Sequence, residues 1–305
     1  MILIVTHKQD FTADFIIDKL NSQNISYYRL NCEDCLTMNL SFKTDLNSVA
    51  VSIAGHQTFN SIWYRRTKFP SLTPESHDEH LYLVNEADMF MRNIFGLIKG
   101  RWLSDPFSLE RAENKFLQLE IARRIGLSVP ETLVTSDRNA VKDFLLQHDK
   151  AIIKPISTGR MSYSDQYSKQ IFSNIVPKSI IESFETFDYT PAIFQKYIEK
   201  EYEIRITVIG SDVFAAKVNS QEEIETSTDW RRKKLPFIPY DLPNEIAQLC
   251  ILMLNELNVG FGAFDFIKSK DGKYYFLEVN PNGQWVWIEK DTGLKISDSI
   301  IKYLT

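Results

Sequence analysis

Gly262-Ala-Phe-Asp-Phe-Ile267, Asp271-Gly272 and Tyr274-Tyr-Phe-Leu-Glu-Val-Asn280 together form the stretch that decides the fold. Two apolar segments flank a dipeptide that favours a two-residue type I′ turn, the pattern of a β-hairpin. Such a turn sets the register, so that 270 faces 273, 268 faces 275 and 265 faces 278. Asp265 and Glu278 then lie side by side on one face, with Cβ atoms roughly 5 Å apart. Asn280, two residues beyond Glu278, points the same way. Facing carboxylates repel unless something compensates them. Two carboxylates and an amide carbonyl are hard oxygen donors, the kind a magnesium ion takes. The alternative is an exposed hairpin whose acids pair with lysines such as Lys268. The apolar residues around both acids, and the following Pro281-Asn-Gly283, weigh against it. Neutralising Glu278 is expected to relieve the repulsion and leave the fold intact.

A second hairpin lies upstream. In Glu201-Tyr-Glu-Ile-Arg-Ile-Thr-Val208, alternation puts Glu201, Glu203, Arg205 and Thr207 on one face. Tyr202, Ile204, Ile206 and Val208 share the other, a core face. Gly210-Ser211 supplies the turn. Just before this strand, Phe194-Gln-Lys-Tyr-Ile198 is an extended apolar segment followed by acids. It could offer backbone groups to an adenine and a carboxylate to a ribose, although a half-buried strand with a solvated face looks the same. Lys154 ends the apolar strand Ala151-Ile-Ile, where a lysine can meet phosphate. Lys115 lies in a helix whose core face is expected to carry Ala112, Phe116 and Leu119. Either lysine could equally be a snorkelling surface residue. No Gly-x-x-x-x-Gly-Lys-Ser/Thr loop exists, which excludes a P-loop enzyme.

The rest of the chain places these segments in an α/β (α+β) protein. Residues 1–105 alternate strand and helix: Ile2–Val5, Phe15–Leu20, Tyr27–Leu30, Ser61–Tyr64, then a helix with Leu83, Ala87, Phe90, Ile94 and Leu97 at helical spacing. That alternation predicts a parallel sheet. Asp105-Pro106 caps and opens a helix and makes a boundary. The expected division is 1–105, 106–192 and 193–305, the last rich in antiparallel hairpins and closed by a helix near Ser297–Leu304. A chain of 305 residues, 44% hydrophobic and 25% charged, is a globular one of two or three subdomains. Its net charge of −5 argues against a general nucleic-acid binder. No apolar run approaches the roughly 20 residues of a membrane helix. Three cysteines and an N-terminus without signal-peptide character point to the cytoplasm. Cys32-Glu-Asp-Cys35 reads as ordinary thiols and His77-Asp-Glu-His80 as an exposed helix start.

The order of these features carries a resemblance. Helix lysine, Gly126-Leu-x-Val-Pro130, strand lysine, Gln195-Lys-Tyr-Ile198, Glu203-Ile-Arg205, Asp265 and Glu278-Val-Asn280-Pro281 together resemble the ATP-grasp superfamily. More narrowly, Trp63-Tyr-Arg-Arg66, Asp105-Pro106, Asn219-Ser-Gln221, Asp229-Trp-Arg231 and Tyr240-Asp-Leu-Pro243 resemble the microviridin-type (graspetide) peptide ligases. The resemblance implies an ATP-grasp fold, with an N-terminal parallel α/β subdomain, a central subdomain and a C-terminal antiparallel one. It implies ATP between the last two, with Lys115 and Lys154 on phosphates or the adenine edge. Gln195, Lys196, Tyr197 and Ile198 would take the adenine and Glu203 the ribose. Asp265, Glu278 and Asn280 would hold Mg2+, and Arg205 and Arg231 would stabilise the transferred phosphoryl group or the acyl phosphate. Many ATP-grasp enzymes carry a glycine-rich flap after the strand lysine; Ile156-Ser-Thr-Gly-Arg-Met161 has one glycine and departs from that pattern. The segment Ser162–Ile171, a surface hairpin by itself, matches where the maturases bind a helical leader peptide.

The chemistry implied is phosphorylation of a carboxylate to an acyl phosphate, followed by attack of a hydroxyl or amine. Three readings follow. One is a maturase that crosslinks side chains of a ribosomal precursor peptide carrying a helical leader, the crosslink more in keeping with an ester. The second is a ligase that adds a free amino acid to a protein or metabolite. The third is a non-catalytic nucleotide-dependent binding protein. A homodimer is left open.

Overall fold

The computed structural model describes residues 1–68, 70, 77–157, 159–164, 167–182 and 190–305, and the backbone alone for 160–164, 167, 168 and 182. Residues 1–105 form a four-stranded parallel sheet in the order Tyr27–Asn31, Ile2–Thr6, Thr58–Tyr64, Lys99–Trp102. Ile2–Thr6 is buried along its whole length, as an inner parallel strand covered on both faces must be. Helix Phe11–Ser22 starts where Asp10 accepts hydrogen bonds from the amides of Thr12 and Ala13. It buries Ile16, Ile17 and Leu20 on one face of the sheet. Helix His77–Phe95 covers the other, through Ala87, Met91, Ile94 and Phe95. Its buried stripe is offset from the expected one: Phe90 and Leu97 are largely exposed, because Met91 and Phe95 face the sheet instead.

A four-stranded antiparallel sheet follows, in the order Asn174–Ile175, Ala151–Lys154, Ala192–Lys196, Thr132–Thr135. Helix Arg138–Gln147 covers it with Val141 and Leu145. Strand Ala192–Lys196 belongs wholly to this sheet, so a division at 193 cuts through it. The last sheet has five antiparallel strands: Ile238–Pro239, Asp212–Val218, Lys200–Ile209, Phe261–Ser269, Tyr274–Asn280. One face packs Ile204, Ile206, Val208, Phe264, Phe266, Phe276 and Val279 under helix Asn244–Leu257 and helix Lys115–Arg124. Each such side chain removed from water contributes about 1.5–3 kcal/mol. The closing helix Ile296–Leu304 lays Ile300 and Leu304 on the N-terminal parallel sheet, where the Ser61 hydroxyl donates to the Leu304 carbonyl.

Two local expectations change. The helix expected from 106 to 126 is two helices, Pro106–Ala112 and Lys115–Arg124. Asn114 breaks it by capping the second, accepting from the amides of Phe116 and Leu117. The break turns Gln118, Ile121 and Ala122 inward and leaves Phe116 46% exposed. The second change is the turn of the decisive hairpin. Lys268 faces Tyr274 and Phe266 faces Phe276, not 275 and 277. Three residues, 270–272, close the hairpin, with Gly272 at φ +85° as a left-handed residue that glycine adopts without strain. The register then slips by one residue between Phe266 and Asp265, at a bulge that leaves Leu277 without a partner. Beyond the bulge Asp265 faces Glu278, as the two-residue turn had implied by another route.

Candidate active site

The polar face of the C-terminal sheet brings Glu203, Arg205, Asp265, Glu278 and Asn280 together. Arg205 is paired in register with Asp265, which is paired with Glu278. The Arg205 NH1 donates to Asp265 Oδ2 at 2.8 Å, and its NH2 to the Gln284 carbonyl at 3.3 Å. The Asn280 amide nitrogen lies 3.2 Å from Asp265 Oδ2 and 3.5 Å from Glu278 Oε1. Lys115 reaches across from its helix to Glu278 Oε2 at 3.2 Å. Arg205 is almost closed off, 9% exposed, while Asp265 and Glu278 keep 21% and 19%. The acids therefore face a cleft.

The electrostatics divide the two acids. Burial opposes the charge of Glu278, but Lys115, Lys154 and Arg231 outweigh it and hold the carboxyl at about 2. Asp265 is pushed up, by burial first, against the pull of Arg205 and with the added repulsion of Glu278. Burial pulls Lys154 down, countered by the charge of Glu278. Lys154 and Arg231 thus both bear on the charge of Asp265 and Glu278.

The donor set fits a magnesium ion. Among the described residues no three or more His, Cys, Asp and Glu side chains gather as a metal cluster. Asp265 and Glu278 supply two carboxylates, and a half-turn of the Asn280 amide brings its carbonyl oxygen to the same point. Three protein ligands leave octahedral positions for phosphate oxygens and water, which is how magnesium is held beside nucleotides.

One residue outside the sequence reading sets this geometry. Gln118, 2% exposed, donates to the carbonyls of Val279 at 2.8 Å and Ala112 at 2.6 Å. Its amide oxygen accepts from Val279 N at 3.0 Å. A single side chain thus satisfies both backbone groups of Val279 on the outer edge of the sheet. It also fixes the Lys115 helix beside the strand that carries Glu278. The available signal was Gln118 one turn after Lys115, on a face that Asn114 rotates inward. Gly283, noted in the sequence only as the end of Pro281-Asn-Gly283, also sets the geometry. A Cβ there would stand 3.0 Å from Arg205 NH2 and 2.9 Å from Ala263 Cβ, so only glycine lets the loop approach.

The expected nucleotide contacts lie across the cleft on the central sheet. Gln195 is buried and donates to Thr132 Oγ1 at 2.8 Å. The amides of Lys196 and Tyr197 already donate to the carbonyls of Glu131 and Lys150. Among the described residues, the Ile198 amide takes no protein acceptor. Glu203 is buried and held by Lys200 Nζ at 2.7 Å; burial pushes its carboxyl up, against the pull of Lys200. Thr158 and the side chains of Arg160 and Met161, in the expected flap, lie outside the described residues, as do 165 and 166 in the Ser162–Ile171 segment. The described backbone pairs Arg160–Ser164 with Tyr167–Gln170 as an antiparallel hairpin.

Arg231 lies on the connection between strands Asp212–Val218 and Ile238–Pro239. Asp229 holds it through two parallel hydrogen bonds, Nε to Oδ1 at 2.8 Å and NH2 to Oδ2 at 2.6 Å. Trp230 packs against Phe237 and Trp287 and anchors this loop. Arg65, from Trp63-Tyr-Arg-Arg66, is 1% exposed. Its NH1 donates to Asn282 Oδ1 at 3.0 Å and its Nε approaches Asp10 Oδ2 at 3.4 Å. It ties the N-terminal sheet to the loop that follows Asn280.

Residues 112–304 match the RimK-like ATP-grasp domain, and residues 1–110 match the MvdD pre-ATP grasp domain. The structure is similar to that of the Chryseobacterium gregarium RiPP-associated ATP-grasp ligase in complex with ADP and a leader and core peptide. The two share 28% identity and a TM-score of 0.89, over 99% of this chain and 96% of that one. The macrocyclase MdnC of Microcystis aeruginosa MRC, bound with precursor peptide MdnA, is 25% identical with a TM-score of 0.85, over 99% and 98% of the two chains. The tetrahydromethanopterin:alpha-L-glutamate ligase of Methanocaldococcus jannaschii is 24% identical over 205 residues, 66% of this chain and 68% of its own.

Proposed function

Because the chain belongs to the RimK-like ATP-grasp family, a family of ATP-using ligases, we propose that it crosslinks side chains of a ribosomally made precursor peptide by way of an acyl phosphate. The observation that carries this reading is the convergence of Asp265, Glu278 and Asn280 with Lys115, Lys154, Arg205 and Arg231 on one cleft. The N-terminal third favours a peptide over a free amino acid: residues 1–110 match the MvdD pre-ATP grasp domain, and the two peptide-bound relatives align over 99% of the chain.

ATP lies between the central and C-terminal sheets, its adenine against Gln195–Ile198 with the Ile198 amide as the free donor and its ribose beside Glu203. Lys115 and Lys154 neutralise phosphate oxygens; burial holds the basicity of Lys154 below its ordinary range. Asp265, Glu278 and Asn280 hold Mg2+, which when bound neutralises charge on the phosphate oxygens. Arg205 and Arg231 present fixed guanidinium N–H groups to the phosphoryl group as it passes to the peptide carboxylate. Fixed donors need no reorganisation as charge develops there. A hydroxyl or amine of the same peptide then attacks the acyl carbon and phosphate leaves, giving an ester or an amide. The hairpin Arg160–Ser164 and Tyr167–Gln170 is the docking place for a helical leader. No helix of the described residues is long and apolar enough to cross a membrane, and three buried free cysteines suit a reducing cytoplasm.

The test uses the enzyme with a candidate precursor peptide rich in Asp/Glu and Thr/Ser or Lys, sought among the genes beside its own. Each ring lowers the peptide mass by one water and releases ADP. An ester ring reopens in mild base; an amide ring does not. Release of AMP would remove the acyl-phosphate route. The likeness to alpha-L-glutamate ligases supports a second reading, addition of a free amino acid. A peptide that gains the mass of a glutamate residue would establish that reading in place of the first.

A further inference from the structure

The connection that carries Arg231 does more than hang over the cleft: it is fastened to the central sheet. Arg232 donates through NH2 to the Ser173 carbonyl at 2.9 Å and to Asn174 Oδ1 at 2.6 Å, with its guanidinium 5.4 Å from the centre of the Phe172 ring. The Ser173 amide donates to Asp229 Oδ2 at 3.2 Å, the same oxygen that accepts from Arg231 NH2 at 2.6 Å. Asp229 is 4% exposed, so its carboxylate has little water to turn to if either partner leaves. Asn174 in turn begins the edge strand Asn174–Ile175, paired directly with Ile153 beside Lys154. The C-terminal sheet thus sends out a loop whose Asp229 and Arg232 grip both backbone groups of Ser173 on the central sheet. Arg231 stands between the two gripping residues.

We propose that Arg232 is a positioning residue: by clasping Phe172–Asn174 it holds the central sheet against the Arg231 loop, and Arg231 meets the transferred phosphoryl group only while the clasp is made. The chain of contacts runs Arg232, Ser173, Asp229, Arg231. If the central sheet swings away from the C-terminal sheet, Ser173 leaves with it. Asp229 then loses its backbone donor, and the carboxylate that aims Arg231 is left held by Arg231 alone. Closure around the nucleotide and delivery of Arg231 become one event. This inference rests on the role given above to Arg231.

The test titrates the full chain with the magnesium complexes of ADP and of a non-hydrolysable ATP analogue, and follows hydrogen exchange at the Ser173 amide. Arg232→Ala should weaken the analogue about tenfold or more, the effect of one lost charge-assisted hydrogen bond, while ADP binding stays near wild type. Arg231→Lys should do the same, and the double variant should be no weaker than Arg231→Lys alone, because Arg232 acts through Arg231. Arg232→Lys, whose single ammonium can donate to the same two acceptors but loses the planar guanidinium over Phe172, should recover part of the loss. Exchange at Ser173 should speed up in Arg232→Ala. Equal weakening of both nucleotides, or additive effects in the double variant, overturns the proposal. If Arg231→Lys leaves the analogue untouched, the role of Arg231 itself is wrong; unchanged exchange at Ser173 in Arg232→Ala is the separate result that removes the clasp.

Discussion

Glu278→Gln removes one negative charge from a cleft that holds two acids and four cations. Taken alone, the facing pair Asp265 and Glu278 predicts relief of repulsion and a fold left intact. The wider geometry reverses the sign. Lys115, 3.2 Å away, and Lys154 and Arg231 near by hold the Glu278 carboxyl at about 2, against an ordinary 4.5. A carboxyl depressed that far stabilises the fold by roughly 3 kcal/mol as its carboxylate. Loss of its repulsion on Asp265 returns part of this, so the net destabilisation is about 2–3 kcal/mol. The pH window follows from the same shift. The folded value lies below the unfolded one, so the contribution is complete above about 4.5 and is lost as pH falls through about 2. Urea unfolding without metal or nucleotide, followed by tryptophan fluorescence, should show the full gap between wild type and variant at neutral pH. The gap should narrow progressively below about pH 4.5. Turnover should be abolished even at saturating magnesium. A variant as stable as wild type at neutral pH would refute the argument that the cations dominate; one that is equally active would refute the metal site.

Three further perturbations test the surroundings. Gln118→Leu leaves both backbone groups of Val279 unpaired and should cost about 2–4 kcal/mol by denaturant unfolding, with weaker nucleotide binding as Lys115 drifts from Glu278. Gly283→Ala drives a methyl group to 3.0 Å from Arg205 NH2; it should lower the rate of ADP release at least tenfold while costing only about 1–3 kcal/mol of stability. Arg65→Met keeps the bulk but removes the charge partner of the buried Asp10 carboxylate, which keeps its hydrogen bonds from Thr6, Thr12 and Ala13, and should lower stability by about 1–3 kcal/mol, with the difference shrinking as acid protonates Asp10.

Much of this molecule was legible in the chain because its chemistry sits on regular strands. Alternation alone put Arg205 on the polar face and Ile204, Ile206 and Val208 in the core, and the register pairs Arg205 with Asp265. The meeting of Asp265 and Glu278 was read correctly through a turn that is one residue longer than assumed, because the bulge at Leu277 restores the offset. What escaped was tertiary. Asn114 looks like any helical residue until it caps, and the cap decides that Gln118 faces Val279 while Phe116 faces water. The count of cations around Glu278 depends on three segments far apart in sequence, so a pairwise reading of the hairpin predicts the opposite sign from the full set of charges. Arg232 sat in a basic run, Arg231-Arg-Lys-Lys234, with nothing local to mark it off from a solvated patch.

The bulge at Leu277 has a consequence for length changes in this hairpin. Faces of a strand alternate as odd and even numbers do, and the bulge is a parity switch: Phe276 points into the core, yet Glu278, two residues on, points into the cleft. Deleting Lys270 would shorten the turn to Asp271-Gly272, a dipeptide suited to two-residue hairpins, while Ser269 and Lys273 stay opposite each other. Everything beyond would keep its parity and the cleft its ligands. Deleting Leu277 would remove the extra residue itself, so that Glu278 follows Phe276 directly and regular alternation keeps Glu278 and Asn280 on the cleft side and Val279 in the core, with Asp265 still opposite Glu278. Two deletions of one residue each, seven positions apart, would therefore both leave Asp265, Glu278 and Asn280 facing the cleft, because each removes a residue that has no partner across the hairpin.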